Sequence, residues 1–249
     1  MRGLEGKNVI VTGGGGAIGA AICQRFAGYG SHVGVFDKNL DGAQKVAAEI
    51  RGFASGVDIA DYAAVGKAIA EFEREVGPTD ILVNNAGWDR FANFVDTTPD
   101  LWDQLIAINL RGALNMSHFV LKGMVERGHG RIVNIASDAG RVGSSQEAVY
   151  SACKGGIIAF TKTLAREVAT KGVTANTVCP GPTDTPALRK FAEGSGDAEK
   201  VIGGMTRAVP MKRLGTPADI GPAVAFFASD GAGFVTGQTL SVSGGLTMA

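Results

Sequence analysis

Tyr150 and Lys154 stand four residues apart in a stretch, residues 147–160, whose apolar spacing reads as a helix. Positions i and i+4 share a helix face, so the spacing puts a phenol beside an ammonium. The positive charge favours the phenolate and lowers a pKa that starts near ~10. A pair of this kind can take a proton from an alcohol or return one to a carbonyl. Tyr-x-x-x-Lys also describes many solvated surface pairs, so its meaning depends on what the remaining chain places around it.

The elements that must position this pair begin at Asn8–Thr12, a continuous apolar run of the kind expected for a strand covered on both faces. A glycine turn follows, holding Gly13, Gly15, Gly16, Ile18 and Gly19, and then a helical pattern through Ala21, Ile22 and Phe26. Strand, glycine turn and helix in that order let backbone amides face a pyrophosphate with no Cβ in the way. A flexible linker is the competing reading of so many glycines. Residues 32–36 form a second strand and bring Asp37 to its carboxyl end. An acid there hydrogen-bonds the adenosine ribose hydroxyls and repels a 2′-phosphate, which argues for NAD over NADP. Asp37 also reads as a plain helix cap, and Lys38 beside it is the one residue able to soften the preference.

A short third strand over residues 53–57 ends at Asp58 and Ile59, where an acid in such folds meets the adenine amino group. A fourth buried strand starting at Asp80 exits through Asn84, Asn85, Ala86 and Gly87, small and polar residues suited to close backbone approach to a ligand. The helical pattern of residues 98–127 carries Asn109 among Leu105, Ile106, Ile108 and Leu110. An interior amide needs a partner; Asn109 is either a satisfied packing group or part of a site. Residues 130–136 are a fifth strand with Ser137 at its end, and residues 141–147 a loop before the Tyr150 helix. Residues 173–178 are a sixth strand closed by Cys179, Pro180, Gly181 and Pro182, and residues 239–242 a last one. Residues 183–215, rich in glycine and charge and including Thr183 and Thr185, read as a lid.

Strands alternating with helices from end to end predict an α/β fold: a Rossmann-type doubly wound parallel sheet of about seven strands, flanked by helices on both faces. No composition break, linker or internal repeat divides residues 1–249, so one dinucleotide-binding and catalytic domain is expected.

Composition narrows the partners. With 24 basic and 24 acidic residues the formal charge is zero and no long run has one sign, which argues against nucleic-acid or membrane-surface binding. No apolar run approaches the ~20 residues of a membrane span, and residues 1–7 read as no signal peptide. A cytoplasmic location is expected. Cys23, Cys153 and Cys179 are widely spaced and read as reduced thiols, while His32, His118 and His129 form no metal pattern. No metal is expected. The 37 glycines exceed an average domain's share without collagen periodicity, so they must serve particular turns.

Thr12-Gly13-x-x-x-Ala17-x-Gly19, Asn84-Asn85-Ala86-Gly87, Asn109, Ser137, Tyr150-x-x-x-Lys154 and Pro180-Gly181 occur in one order over essentially the whole chain. Together they resemble the short-chain dehydrogenase/reductase family, with Ala17 where many members carry glycine. The resemblance implies Tyr150 as general base in alcohol oxidation and acid in reverse. It implies Lys154 as the group that lowers the Tyr150 pKa and holds the nicotinamide ribose. Ser137 would hydrogen-bond the substrate oxygen, and Asn109 would hold a water linking Lys154 to solvent. Gly13, Gly15, Gly16, Ile18, Gly19, Asp37, Asp58, Ile59, Asn85, Ala86, Gly87, Tyr150, Lys154, Pro180, Gly181, Thr183 and Thr185 would line the NAD site. A homotetramer built on the two long helices is also implied.

The stretches around Trp88-Asp89, residues 135–145, residues 179–185 and residues 240–248 are similar to one subgroup, the 2-hydroxycyclohexanecarboxyl-CoA dehydrogenases of alicyclic acid degradation. That similarity implies oxidation of a ring 2-hydroxyl on a CoA thioester. Arg141, Arg189, Lys190, Arg207, Lys212 and Arg213 are then candidate phosphate partners, or ordinary surface charges. The alternative is a 3-oxoacyl-acyl-carrier-protein reductase or 3-hydroxyacyl-CoA dehydrogenase; a cofactor-binding protein without catalysis is the remote one.

Overall fold

The computed structural model describes residues 1–194 and 196–248. Seven strands form one parallel sheet: β1 (Asn8–Thr12), β2 (His32–Asp37), β3 (Phe53–Gly56), β4 (Ile81–Asn84), β5 (Gly130–Ile135), β6 (Val173–Pro180) and β7 (Thr239–Val242). Their order across the sheet is β3-β2-β1-β4-β5-β6-β7. The order reverses between β1 and β4, the crevice where open α/β sheets bind ligands outside the carboxyl ends of their strands.

Alternation along each strand divides the core into two layers. Val9, Val11, Val33, Val35, Ile81, Val83, Val133 and Ile135 face one helix layer. That layer holds α1 (Ala17–Ala27), α2 (Leu40–Ile50) and α10 (Pro217–Ala228). Ile10, Phe36, Leu82 and Ile132 face the other, made by α3 (Tyr62–Glu75), α5 (Gly112–Arg127) and α7 (Ala148–Val168). The continuous apolar runs in the sequence arise because both faces are covered.

Two elements differ from the sequence expectation. The helix expected over residues 98–127 is broken into α4 (Pro99–Ile106) and α5 by a π-helical turn at Ala107–Arg111. Asn109 stays buried there, and its side chain bonds the Trp88 backbone outside the helix as well as the Leu105 carbonyl within α4. Residues 141–147 are not all loop, since α6 (Ala139–Val142) forms directly after Ser137. The segment 183–215, expected as loop and short helix, contains two helices, α8 (Pro186–Gly194) and α9 (Ala198–Ala208). No helix among the described residues is long and apolar enough to cross a membrane.

Candidate active site

The glycine turn after β1 is shaped by contacts that only glycine permits. Gly13 has φ +62°, and a Cβ on it would lie 2.8 Å from Ala86 Cα. A Cβ on Gly19 would lie 2.0 Å from the Gly13 carbonyl oxygen. The turn therefore packs against the exit of β4 on one side and the first turn of α1 on the other. No side chain caps α1, which leaves amides of its first turn for an anionic ligand.

Two side chains brace this turn. Asp37 Oδ2 accepts from the Gly15 amide at 3.0 Å, and its Oδ1 accepts from Asn39 N at 2.9 Å. Thr12 Oγ1 accepts from the Asn85 and Ala86 amides, both at 3.0 Å. The Asn85 side-chain amide donates back to the Thr12 and Gly13 carbonyls at 2.9 and 3.2 Å. The sequence reading quoted Thr12 within a motif but gave it no role. The available signal was a hydroxyl at the last position of a strand whose neighbour ends in small polar residues.

These contacts frame a cleft of about 580 Å³, within the usual range for small-molecule sites. Gly13, Gly15, Gly16, Ile18, Gly19, Asp37, Asp58, Ile59, Asn85, Ala86, Gly87 and Thr185 all line it, together with Lys38. Pro180, Gly181 and Thr183 do not. Pro180 is the last residue of β6, the Gly181 amide donates to Val242 at 3.1 Å, and Thr183 is buried with its hydroxyl on the Gly181 carbonyl. Lys38 points its ammonium at Asp58 Oδ2, 2.6 Å away, and that cation holds the Asp58 carboxyl below its ordinary range.

Beyond Gly87 lies the reactive cluster. Lys154 is buried and donates from Nζ to the Ile135 carbonyl at 2.9 Å. Its Nζ sits 5.6 Å from the centroid of the Tyr150 ring. Burial lowers the Lys154 pKa to about 8. Tyr150 shifts opposite to the sequence expectation: burial pushes its pKa up, Glu147 and Asp89 push it further, and a hydrogen bond with Ser137 works against them. Desolvation outweighs the neighbouring ammonium. Ser137 Oγ also accepts from the Ala139 amide at 3.1 Å, which fixes it at the start of α6.

Asn109 is nearly fully buried, and its side chain is spent on backbone. Its Oδ1 accepts from Trp88 N at 3.1 Å, and its Nδ2 donates to the Trp88 and Leu105 carbonyls at 2.7 and 3.0 Å. A Cβ on Gly87 would fall 3.1 Å from Asn109 Oδ1 and 3.3 Å from Lys154 Nζ. The chain leaving β4 is thus threaded between the amide and the ammonium. The visible work of the Asn109 side chain is to clamp that chain to the π turn.

A family model described as enoyl-(acyl carrier protein) reductase, one of the short-chain dehydrogenase/reductase models, matches residues 15–247. The chain belongs to the short-chain dehydrogenase/reductase family. It is 43% identical over 237 residues to an acetoacetyl-CoA reductase of Shinella zoogloeoides, covering 95% of this chain and 96% of the relative. It is 37% identical over 247 residues to a 3-oxoacyl-[acyl-carrier-protein] reductase of Escherichia coli, covering 98% and 99%. Among solved structures, a variant of actinorhodin polyketide ketoreductase with NADPH superposes with a TM-score of 0.94 at 34% identity, over 99% of both chains.

As a short-chain dehydrogenase/reductase, the chain is an oxidoreductase whose fold binds a nicotinamide cofactor. The chain after β4 and α8 are joined by stacked Phe91 and Phe191 rings, their centroids 3.7 Å apart. Most cations proposed for a CoA ester are engaged within the protein. Arg189 pairs with Asp184, Arg213 with Asp219, Arg141 donates to Ser241 Oγ, and Lys212 donates to the Arg207 carbonyl. Lys190 and Arg207 have no side-chain hydrogen bond or ion pair among the described residues. The three cysteines are free and buried, and burial pushes Cys23 and Cys179 up to about 12. They are not thiolates at neutral pH. Among the described residues no group of three or more metal-ligating side chains converges.

Asp89 and Glu147 escaped the sequence reading. Each looks like a surface acid in its own loop, and only the fold brings both to Tyr150.

Proposed function

We propose that the protein is an NAD-linked oxidoreductase that interconverts hydroxyacyl and oxoacyl thioesters, with Ser137, Tyr150 and Lys154 as the catalytic groups. The observation that carries this reading is the cluster itself: Ser137 bonded to Tyr150, with the Lys154 ammonium 5.6 Å from the same ring, next to the glycine-turn cleft.

The chain's own residues supply the acid–base work. Tyr150 takes the hydroxyl proton in oxidation and returns it in reduction. Ser137 holds the substrate oxygen as charge develops on it. Lys154 holds the nicotinamide ribose and supplies the positive charge that a phenolate at Tyr150 requires. Asn109 keeps Trp88 and Gly87 in place so that the cofactor-side wall does not collapse on Lys154. A bound NAD would supply the hydride-acceptor chemistry of oxidation. Gly13, Gly15, Gly16, Ile18 and Gly19 would hold its pyrophosphate, Asp37 its adenosine ribose, and Asp58 and Ile59 its adenine.

The cofactor preference rests on Asp37. It presents a carboxylate where a 2′-phosphate would sit, and Lys38 is committed to Asp58. The relative solved with NADPH makes this the point to test. Residues 183–215 act as the substrate lid, latched through Phe91 and Phe191. A homotetramer in solution is part of the reading; a monomer by light scattering at micromolar concentration would remove it.

For the acyl group, the named relatives favour a linear 3-hydroxyacyl or 3-oxoacyl thioester. The ring 2-hydroxy thioester is the second reading, supported by the stacked Phe91 and Phe191 rings. Turnover is to be measured with 3-hydroxybutyryl-CoA and with 2-hydroxycyclohexanecarboxyl-CoA, each with NAD and NADP. Oxidation of either thioester with NAD supports the class, and the faster one decides the acyl group. Reaction with NADP alone would defeat the cofactor assignment.

A further inference from the structure

We propose that Asp89 and Glu147 form a carboxyl pair that shares one proton and sets the electrostatic field at the Tyr150 hydroxyl. The inference rests on the reading of Tyr150 as the proton-transfer group.

The two acids come from different parts of the chain. Asp89 lies in the segment after β4, and Glu147 is the residue that caps the start of α7, three positions before Tyr150. The segments are tied by a hydrogen bond from the Ala92 amide to the Gln146 carbonyl at 2.9 Å. Gln146 is one of three non-glycine residues with positive φ among the described residues, at 68°, a conformation that persists where surroundings enforce it. Asp89, Glu147 and Tyr150 line one small cavity, closed by Phe94, Leu105 and Val149.

Both Asp89 carboxyl oxygens are buried and lack a hydrogen-bond donor in good geometry among the described residues. An ionised carboxylate left so is costly. The group within reach is the Glu147 carboxyl, and two carboxyls bond to each other only when one carries a proton. Burial and the facing Glu147 push Asp89 up to about 7, against smaller opposing effects of the Arg90 amide and Lys154. Asp89 thus keeps its proton well above the usual carboxylate range and adds its negative charge beside Tyr150 only as pH rises past that value.

The charged and titratable groups facing the pair are few. Tyr150, Cys153 and Lys154 face it from α7, and Arg90 from its own loop. The residues contributed by α4 and the turn before it, Leu105, Phe94 and Thr97, are uncharged. Like charge disfavours a phenolate, so each negative charge on the pair raises the Tyr150 pKa. Asp89 and Glu147 are therefore positioning residues that act through Tyr150.

Two measurements test this. In the protein without ligands, infrared difference spectroscopy across neutral pH should show one protonated carboxyl losing its proton; the band should vanish in Asp89→Asn and lose its proton at lower pH in Glu147→Gln, where burial remains but the facing acid is gone. In alcohol oxidation, the pH midpoint of turnover should fall by about half a unit or more in either variant. It should fall further in the double variant. Tyr150→Phe should be inactive in every background. Absence of the carboxyl band in the wild type, or coincident midpoints in active variants, would overturn the pair. Activity surviving in Tyr150→Phe would instead overturn the acid–base reading, and the infrared result would still judge the shared proton.

Discussion

Asp37 accepts a hydrogen bond from the Gly15 amide at 3.0 Å, so the acid that ends β2 is anchored to the glycine turn that follows β1. One carboxylate thereby shapes the turn and, in the proposed NAD site, would repel a 2′-phosphate. Asp37→Ala removes both effects. The ratio of kcat/KM for NAD over NADP should drop by roughly tenfold or more, the factor expected for about 1.4 kcal/mol. Initial rates with both cofactors check this. An unchanged ratio would mean that Asp37 is only a cap.

Lys154 couples the site to stability. Its pKa is about 8 in the fold, against 10.5 for the free side chain. Between these values the unfolded chain binds the extra proton, so stability rises as pH rises through that window. Below about 8 both states are protonated and the full cost of a buried charge is present. Urea unfolding at several pH values should show this slope in the wild type and lack it in Lys154→Met. A parallel dependence in the two proteins would contradict the burial account.

Asn109→Ala should unclamp the segment after β4. Three hydrogen bonds disappear, to Trp88 N, Trp88 O and Leu105 O, leaving buried backbone groups unpaired at a cost of about 3 kcal/mol. Turnover should fall together with the melting temperature. Undiminished stability would show that the π turn does not depend on this amide.

The stacked Phe91 and Phe191 rings join α8, in the proposed lid, to the segment after β4. Phe191→Ala should raise KM for the thioester by about threefold to tenfold, the value of an aromatic pair, with kcat changed less. Steady-state kinetics decide. Equal KM values would mean that α8 is held by other contacts.

Much of this was legible in the sequence. The apolar runs at Asn8–Thr12 and Ile81–Asn84 report strands covered on both faces, and the glycines after β1 report a turn without room for Cβ atoms. Both are local signals, and so is the i, i+4 spacing of Tyr150 and Lys154. The π turn at Asn109 was not legible, because it depends on bonds to Trp88, twenty-one residues upstream. The direction of the Tyr150 shift was missed for a related reason. Sequence shows the ammonium beside the phenol but not the burial or the two acids that outweigh it. The engagement of Arg189 by Asp184 and of Arg213 by Asp219 was not legible either, since both carboxylates stand in the sequence but their pairing does not.

The central claim is that Tyr150 moves the proton while NAD takes the hydride. Its most direct test is NADH formation from 3-hydroxybutyryl-CoA and from the ring thioester by the wild type and by Tyr150→Phe, each confirmed as folded. The wild type should turn over at least one of them, and the variant should be slower by roughly 10²–10⁴-fold, the usual contribution of a general acid–base group. A folded Tyr150→Phe variant that keeps wild-type turnover would contradict the account.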